Sequence, residues 1–175
     1  MTTLPDSVTI SVDRMMRFCY LAEMTFETRR GDHEPKIPVH LTRFGTLAIE
    51  SASWLYSLFD DRSDSINLQT VWQGFDHPFG KELQEIVDRL APFKSGMKLV
   101  RNRIGFHGSL NRETEREGVD IFDVNSGRGR QFIGIMRDME RLAVRMIDWF
   151  CRQNTADGNN DEKMLQEFYR ELKNI

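Results

Sequence analysis

The sequence predicts an all-α fold, a helical bundle of four main helices plus a C-terminal amphipathic helix. Three observations carry this. Apolar residues recur at spacings of three and four along four long stretches. The ends of those stretches are marked by Gly31-Asp32, Pro38, Asp60-Asp61, Pro92 and Ser126-Gly127. The chain has 175 residues, 39% hydrophobic and 29% charged, which suits one globular domain able to remove roughly 70% of its extended-chain surface from water.

Near the N-terminus, Ser11 is placed to cap a helix carrying Met15, Phe18, Cys19, Ala22 and Phe26, ended by Gly31-Asp32. The second helix carries Leu41, Phe44, Leu47, Ala48, Trp54, Leu55 and Leu58, starts after Pro38 and stops at Asp60-Asp61. The Gly74 to Gly80 segment reads as a rigid turn whose aromatics pack on the bundle. Leu83, Ile86, Val87 and Leu90 form a third helix that meets Pro92, and Phe93, Met97, Val100 and Ile104 continue beyond it. Pro92 either kinks one helix or starts the next. The stretch from Gly108 to Gly129 is a polar loop with one short apolar run, Val119 to Val124, which can be an extended excursion. The fourth helix opens after Ser126-Gly127 and carries Phe132, Ile135, Met136, Met139, Leu142, Ala143, Met146, Ile147 and Phe150. Thus residues 1–152 are expected to form the bundle and 153–161 a flexible linker. Residues 162–175 are expected to form an amphipathic helix bearing Met164, Leu165, Phe168 and Leu172.

With 24 basic and 27 acidic residues, a net charge of −3, the chain is not a strongly basic polyanion binder, so any nucleic-acid contact must come from a local patch. Cys19 and Cys151 both lie in apolar helical stretches, which excludes a disulfide framework and a multi-cysteine zinc site. The opening Met-Thr-Thr-Leu-Pro-Asp lacks the basic start and apolar core of a signal peptide, and no stretch approaches the roughly 20 apolar residues of a membrane span. A cytoplasmic protein with no membrane association is therefore expected. His33, His40 and His77 lack ligand-pair spacing, so no metal site is expected, and no phosphate loop, dinucleotide motif or serine elbow is present. Trp54, Tyr56, Trp72 and Trp149 lie mostly in or beside apolar stripes and are read mainly as core.

The local patch is Lys94 to His107, which holds Lys94, Lys98, Arg101 and Arg103 with no acid among them. His107 closes it between Gly105 and Gly108. Within it, Arg101-Asn102-Arg103-Ile104-Gly105-Phe106-His107 places a histidine five intervening residues after an arginine that is followed at once by Asn. In these seven residues, and in the all-helical layout around them, the chain resembles the HEPN (higher eukaryote and prokaryote nucleotide-binding) domains. Many of these are metal-independent endoribonucleases in toxin, phage-defence and RNA-processing systems.

The resemblance implies cleavage of RNA by attack of a ribose 2′-hydroxyl on the neighbouring phosphorus, giving a 2′,3′-cyclic phosphate and a 5′-hydroxyl. His107 would be the general base, since an imidazole with a pKa near 6.5 is largely neutral yet basic at cellular pH. Arg101 would clamp the phosphate through its planar fork, and Asn102 would orient the pair. Lys94, Lys98, Arg103 and the loop residue Arg112 are the RNA contacts this reading expects, and no cofactor is needed. Along an ideal α-helix Arg101 and His107 point about 120° apart and lie roughly 9 Å apart on the axis. A two-fold homodimer would converge two such pairs. The monomer would then be inactive, and an antitoxin or regulatory protein is a further implied partner.

Blander readings fit the same residues. His107 continues the stripe Phe93, Met97, Val100, Ile104, as a structural histidine at a packed seam would. Arg101 and Arg103 can be solvated, or pair with Glu82, Glu85 or Asp88. The alternative function is accordingly a non-catalytic HEPN-like dimeric module that binds RNA, a nucleotide or a protein.

Overall fold

A computed structural model describes residues 6–30, 37–62, 65–105, 121, 123 and 126–154, without the side chains of 29–30, 37–44, 103–105 and 154. Most of these residues are helical, and no strand is found among them. The helices are α1 (Asp6–Arg30), α2 (Ile37–Leu58), α3 (Leu68–Trp72), α4 (Gly80–Leu90), α5 (Lys94–Leu99) and α6 (Gly127–Asn154). A 3₁₀ turn (Ala91–Phe93) joins α4 to α5, and α5 runs on as a π-helical segment (Val100–Gly105). No described helix is long and apolar enough to cross a membrane.

The expected apolar stripes are the ones that pack. Val8, Val12, Met15, Phe18, Ala22 and Phe26 of α1 meet Ala48, Ala52, Leu55 and Leu58 of α2 and the long apolar face of α6 from Phe132 to Phe150, all buried in one core. Helix α1 packs chiefly on α2 and then on α6, α4 lies on α6, and α5 with its π-helical extension lies on α2. Pro92 sits in the first residues of the 3₁₀ turn, so the open alternative resolves in favour of a break and a fresh helix from Lys94. Ser126 is the expected start signal of α6: its Oγ accepts from the Gly129 amide at 2.8 Å. Gly129 is required there because a Cβ would lie 2.0 Å from the Asp123 carbonyl oxygen. Buried Ile121 rests against Gly96 of α5, so part of the expected polar loop belongs to the core.

Two boundaries differ from expectation. Helix α1 begins at Asp6, five residues before Ser11. Ser11 is thus not a cap but a buried hydroxyl that donates to the Val8 carbonyl at 2.7 Å and accepts from Trp72 Nε1 at 2.9 Å. A burial site with a distant indole partner satisfies the same hydroxyl that a helix start would. At the other end, α6 continues through Asn154, so Gln153 and Asn154 of the expected linker are helical. The rest of the linker and the 162–175 helix lie outside the described residues, as do most of the 108–129 loop and the loop histidine His33.

The Gly74 to Gly80 turn packs its rings on the bundle as expected, with Trp72, Phe75, His77, Phe79 and Trp149 at centroid separations of 5.2 to 6.3 Å. His77 is absorbed into this cluster: its Nδ1 accepts from the Phe79 amide at 3.0 Å, and burial pushes its pKa below the ordinary imidazole value.

Candidate functional site

Arg101 lies at the second position of the π-helical segment, against the C-terminal end of α2. Its Nη1 donates to Asp60 Oδ2 at 2.8 Å, and its guanidinium carbon stands 5.4 Å from the centre of the Tyr56 ring. Asp60 is the hub. Only 3% of its side chain is exposed, and Arg62 binds the same oxygen through Nε at 2.9 Å. An acid just past a helix C-terminus faces the negative end of the helix dipole, so these two arginines offset an unfavourable placement. Burial pushes the Asp60 carboxyl up, but the hydrogen bonds from Arg101 and Arg62 outweigh it and hold the pKa below the ordinary carboxylate value.

The loop after α2 is tied around this pair. Ser65 Oγ donates to the Asp60 carbonyl at 2.7 Å. Asn67 caps α3 by accepting from the Gln69 amide at 3.0 Å, while its Nδ2 donates to Asp61 Oδ1 at 3.1 Å. Asp61 in turn receives Lys94 Nζ at 2.6 Å. Two of the four cations in the basic run therefore meet acids from the end of α2, and the patch is less positive in space than along the chain.

Arg101 and Asp60 also line a cavity of about 470 Å³, together with Arg14, Glu50, Ser53, Trp54, Ser57, Arg62 and Ser65. Arg14 is braced by donating to the carbonyls of Ser57 and Ile66 at 3.3 and 3.2 Å. Three arginines against two carboxylates leave this concavity with an excess positive charge. Trp54, expected in the core, is only half-buried and contributes to the lining, with the Arg17 guanidinium 5.3 Å from its ring centre.

Of the expected site residues, Arg101 lines the cavity, Asn102 and Lys98 are exposed beside it in sequence, and Lys94 is paired with Asp61. His107, Arg112 and the side chain of Arg103 lie outside the described residues. The 120° divergence of Arg101 and His107 assumed an α-helix. The backbone from Val100 to Gly105 is π-helical, with a smaller rotation per residue, so that angle does not apply. The alternative partners of Arg101 also need correction: Glu82 pairs with Arg145, Glu85 faces Lys81 at 3.9 Å and Asp88 accepts from Gln84. Arg128 of the loop's end donates to the Pro92 carbonyl at 3.2 Å and covers Phe93.

Along the chain Asp60 is marked only as a helix stop, and Arg14, Glu50 and Arg62 are not singled out. One signal was there for Asp60, since two acids directly after an apolar helix stand where cations are favoured. Among the described residues no group of three or more His, Cys, Asp or Glu could hold a metal ion. No family model, curated protein or solved structure matches the chain.

Proposed function

We propose that this chain is a HEPN-type, metal-independent endoribonuclease acting as a homodimer, in a toxin or phage-defence setting under the control of an antitoxin or regulatory protein. The observation that supports it is the setting of Arg101. A buried carboxylate holds its guanidinium at a positively charged cavity, with an Nη1–H donor directed to Asp60. Such preorganisation favours binding of the charge that develops on a phosphate. In this reading His107 takes the 2′-hydroxyl proton and the O2′–P bond forms. The P–O5′ bond breaks, and the departing oxygen takes a proton from water. Asn102 orients the pair, and Lys94, Lys98, Arg103 and Arg112 follow the RNA backbone.

The Asp60 pair also favours a second reading. An arginine tied to a buried acid fastens the π-helical segment to α2, as a non-catalytic RNA-binding or protein-interaction module would need. Cleavage of mixed cellular RNA by the purified chain in excess EDTA separates the two. The first reading expects cyclic-phosphate ends from the wild type, none from His107→Ala, and weak cleavage with retained binding from Arg101→Lys. Equal cleavage by wild type and His107→Ala refutes it, as does a folded wild-type dimer that binds RNA and leaves it intact.

A further inference from the structure

We infer that the cavity beside Arg101 is a nucleotide subsite that selects guanine, with Glu50 as the base-reading residue and Trp54 as the stacking surface. The inference rests on the RNA reading above for its biological substrate, but it concerns binding and is tested without cleavage.

The order of side chains along α2 supplies the first argument. Glu50, Trp54 and Ser57 line the cavity from one helix face, with Asp60 just beyond the helix end. At 1.5 Å per residue, Glu50 is about 6 Å from Trp54 along the axis and Ser57 about 4.5 Å on the other side, with Asp60 past the helix end beyond Ser57. The arginines Arg62 and Arg101 gather at the Asp60 end. A nucleotide laid along this face therefore has its phosphate at the arginines, its base at Trp54 and the base edge at Glu50. The volume of about 470 Å³ lies within the range of small-ligand pockets.

Charge supplies the second. Phosphate is drawn to the end that carries the guanidinium groups, and Arg101 is held there by Asp60 before any ligand arrives. Trp54 offers a half-buried ring whose orientation is supported by Arg17. Aromatic rings of this kind accept any base by stacking and do not discriminate.

Glu50 discriminates. An ionised carboxylate only accepts hydrogen bonds, through two oxygens. Guanine alone presents two adjacent donors, N1–H and the N2 amino group, on its Watson–Crick edge. Adenine and cytosine each offer one amino donor beside a ring acceptor that repels the carboxylate, and uracil sets its N3–H between two carbonyls. A bidentate carboxylate–guanine pair is therefore the best match available at this position.

The test is calorimetric titration of the full chain with GMP, AMP, CMP and UMP in EDTA. GMP is expected to bind at least about fivefold more tightly than the others. Glu50→Gln should abolish the GMP preference, weakening GMP and strengthening AMP and CMP, because the amide keeps the shape but offers one acceptor and one donor, which match their amino group and ring acceptor. Trp54→Leu should weaken all four together. Equal affinity for the four nucleotides, no binding of any, or a guanine preference retained in Glu50→Gln each overturns the inference. Guanine preference without RNA cleavage would count against the endoribonuclease reading alone. Cleavage without guanine preference would count against this subsite alone.

Discussion

Replacing Asp60 by Asn keeps the shape of the buried side chain and removes the charge that two arginines share. The carboxamide retains one acceptor and turns an N–H donor toward guanidinium groups that are themselves donors. Breaking a buried ion pair from one side costs about 3–5 kcal/mol when the orphaned charge stays buried. Here Arg101 is 28% exposed and Arg62 58%, so water recovers part of that cost and a loss of about 2–3 kcal/mol is expected. For a chain of this size that corresponds to a fall in Tm of about 4–12 °C, measurable by thermal unfolding followed by circular dichroism. The pH dependence carries an independent signature. The folded carboxyl titrates below its ordinary 3.8, so its contribution is fully present above that value and is lost as pH falls through the lower folded pKa. The gap between wild type and Asp60→Asn should thus be constant from neutral pH to about 5 and narrow below about 4. A variant as stable as wild type at pH 7, or a gap unchanged at pH 3, would refute the account of Asp60 as the electrostatic hub.

Two further perturbations probe the bundle itself. Ser11→Ala leaves the buried Trp72 Nε1–H without its acceptor and should cost about 1–3 kcal/mol in chemical denaturation, whereas a capping serine at a frayed end would cost less. Glu140 on α6 is pushed up to about 7 by burial first and by the neighbouring Glu23 carboxyl second, against Arg137 and Arg141. Its folded pKa exceeds its unfolded value of 4.5, so native stability should decline as pH rises from about 4.5 to about 7 through this group. Glu140→Gln should remove that decline and raise Tm at pH 8, and an unchanged pH profile would show that the pair is solvated.

The helices were legible because each buries a face whose period the chain states outright. The stripe Leu83, Ile86, Leu90 and the face from Phe132 to Phe150 are buried as the spacing requires. Local chemistry also located the break at Pro92 and the start at Ser126. Ser11 misled because one hydroxyl serves equally at a cap and in a buried pair, and the choice depends on an indole 61 residues away. The candidate site was half legible. Arg101 stands out in a basic run, but its partner is 41 residues earlier, just past the end of another helix.

The sequence by itself determined the helical class, the core faces and a concentration of positive charge between Lys94 and Arg103, because periodicity and charge counts are local properties. Tertiary structure decided what that charge meets. Packing α5 and its π-helical extension on α2 brought Asp60 and Asp61 under Arg101 and Lys94, and packing α1 on α2 brought Arg14 to the same cavity. Those encounters depend on helix crossing and on a buried acid's need for partners, which no pattern along the chain records.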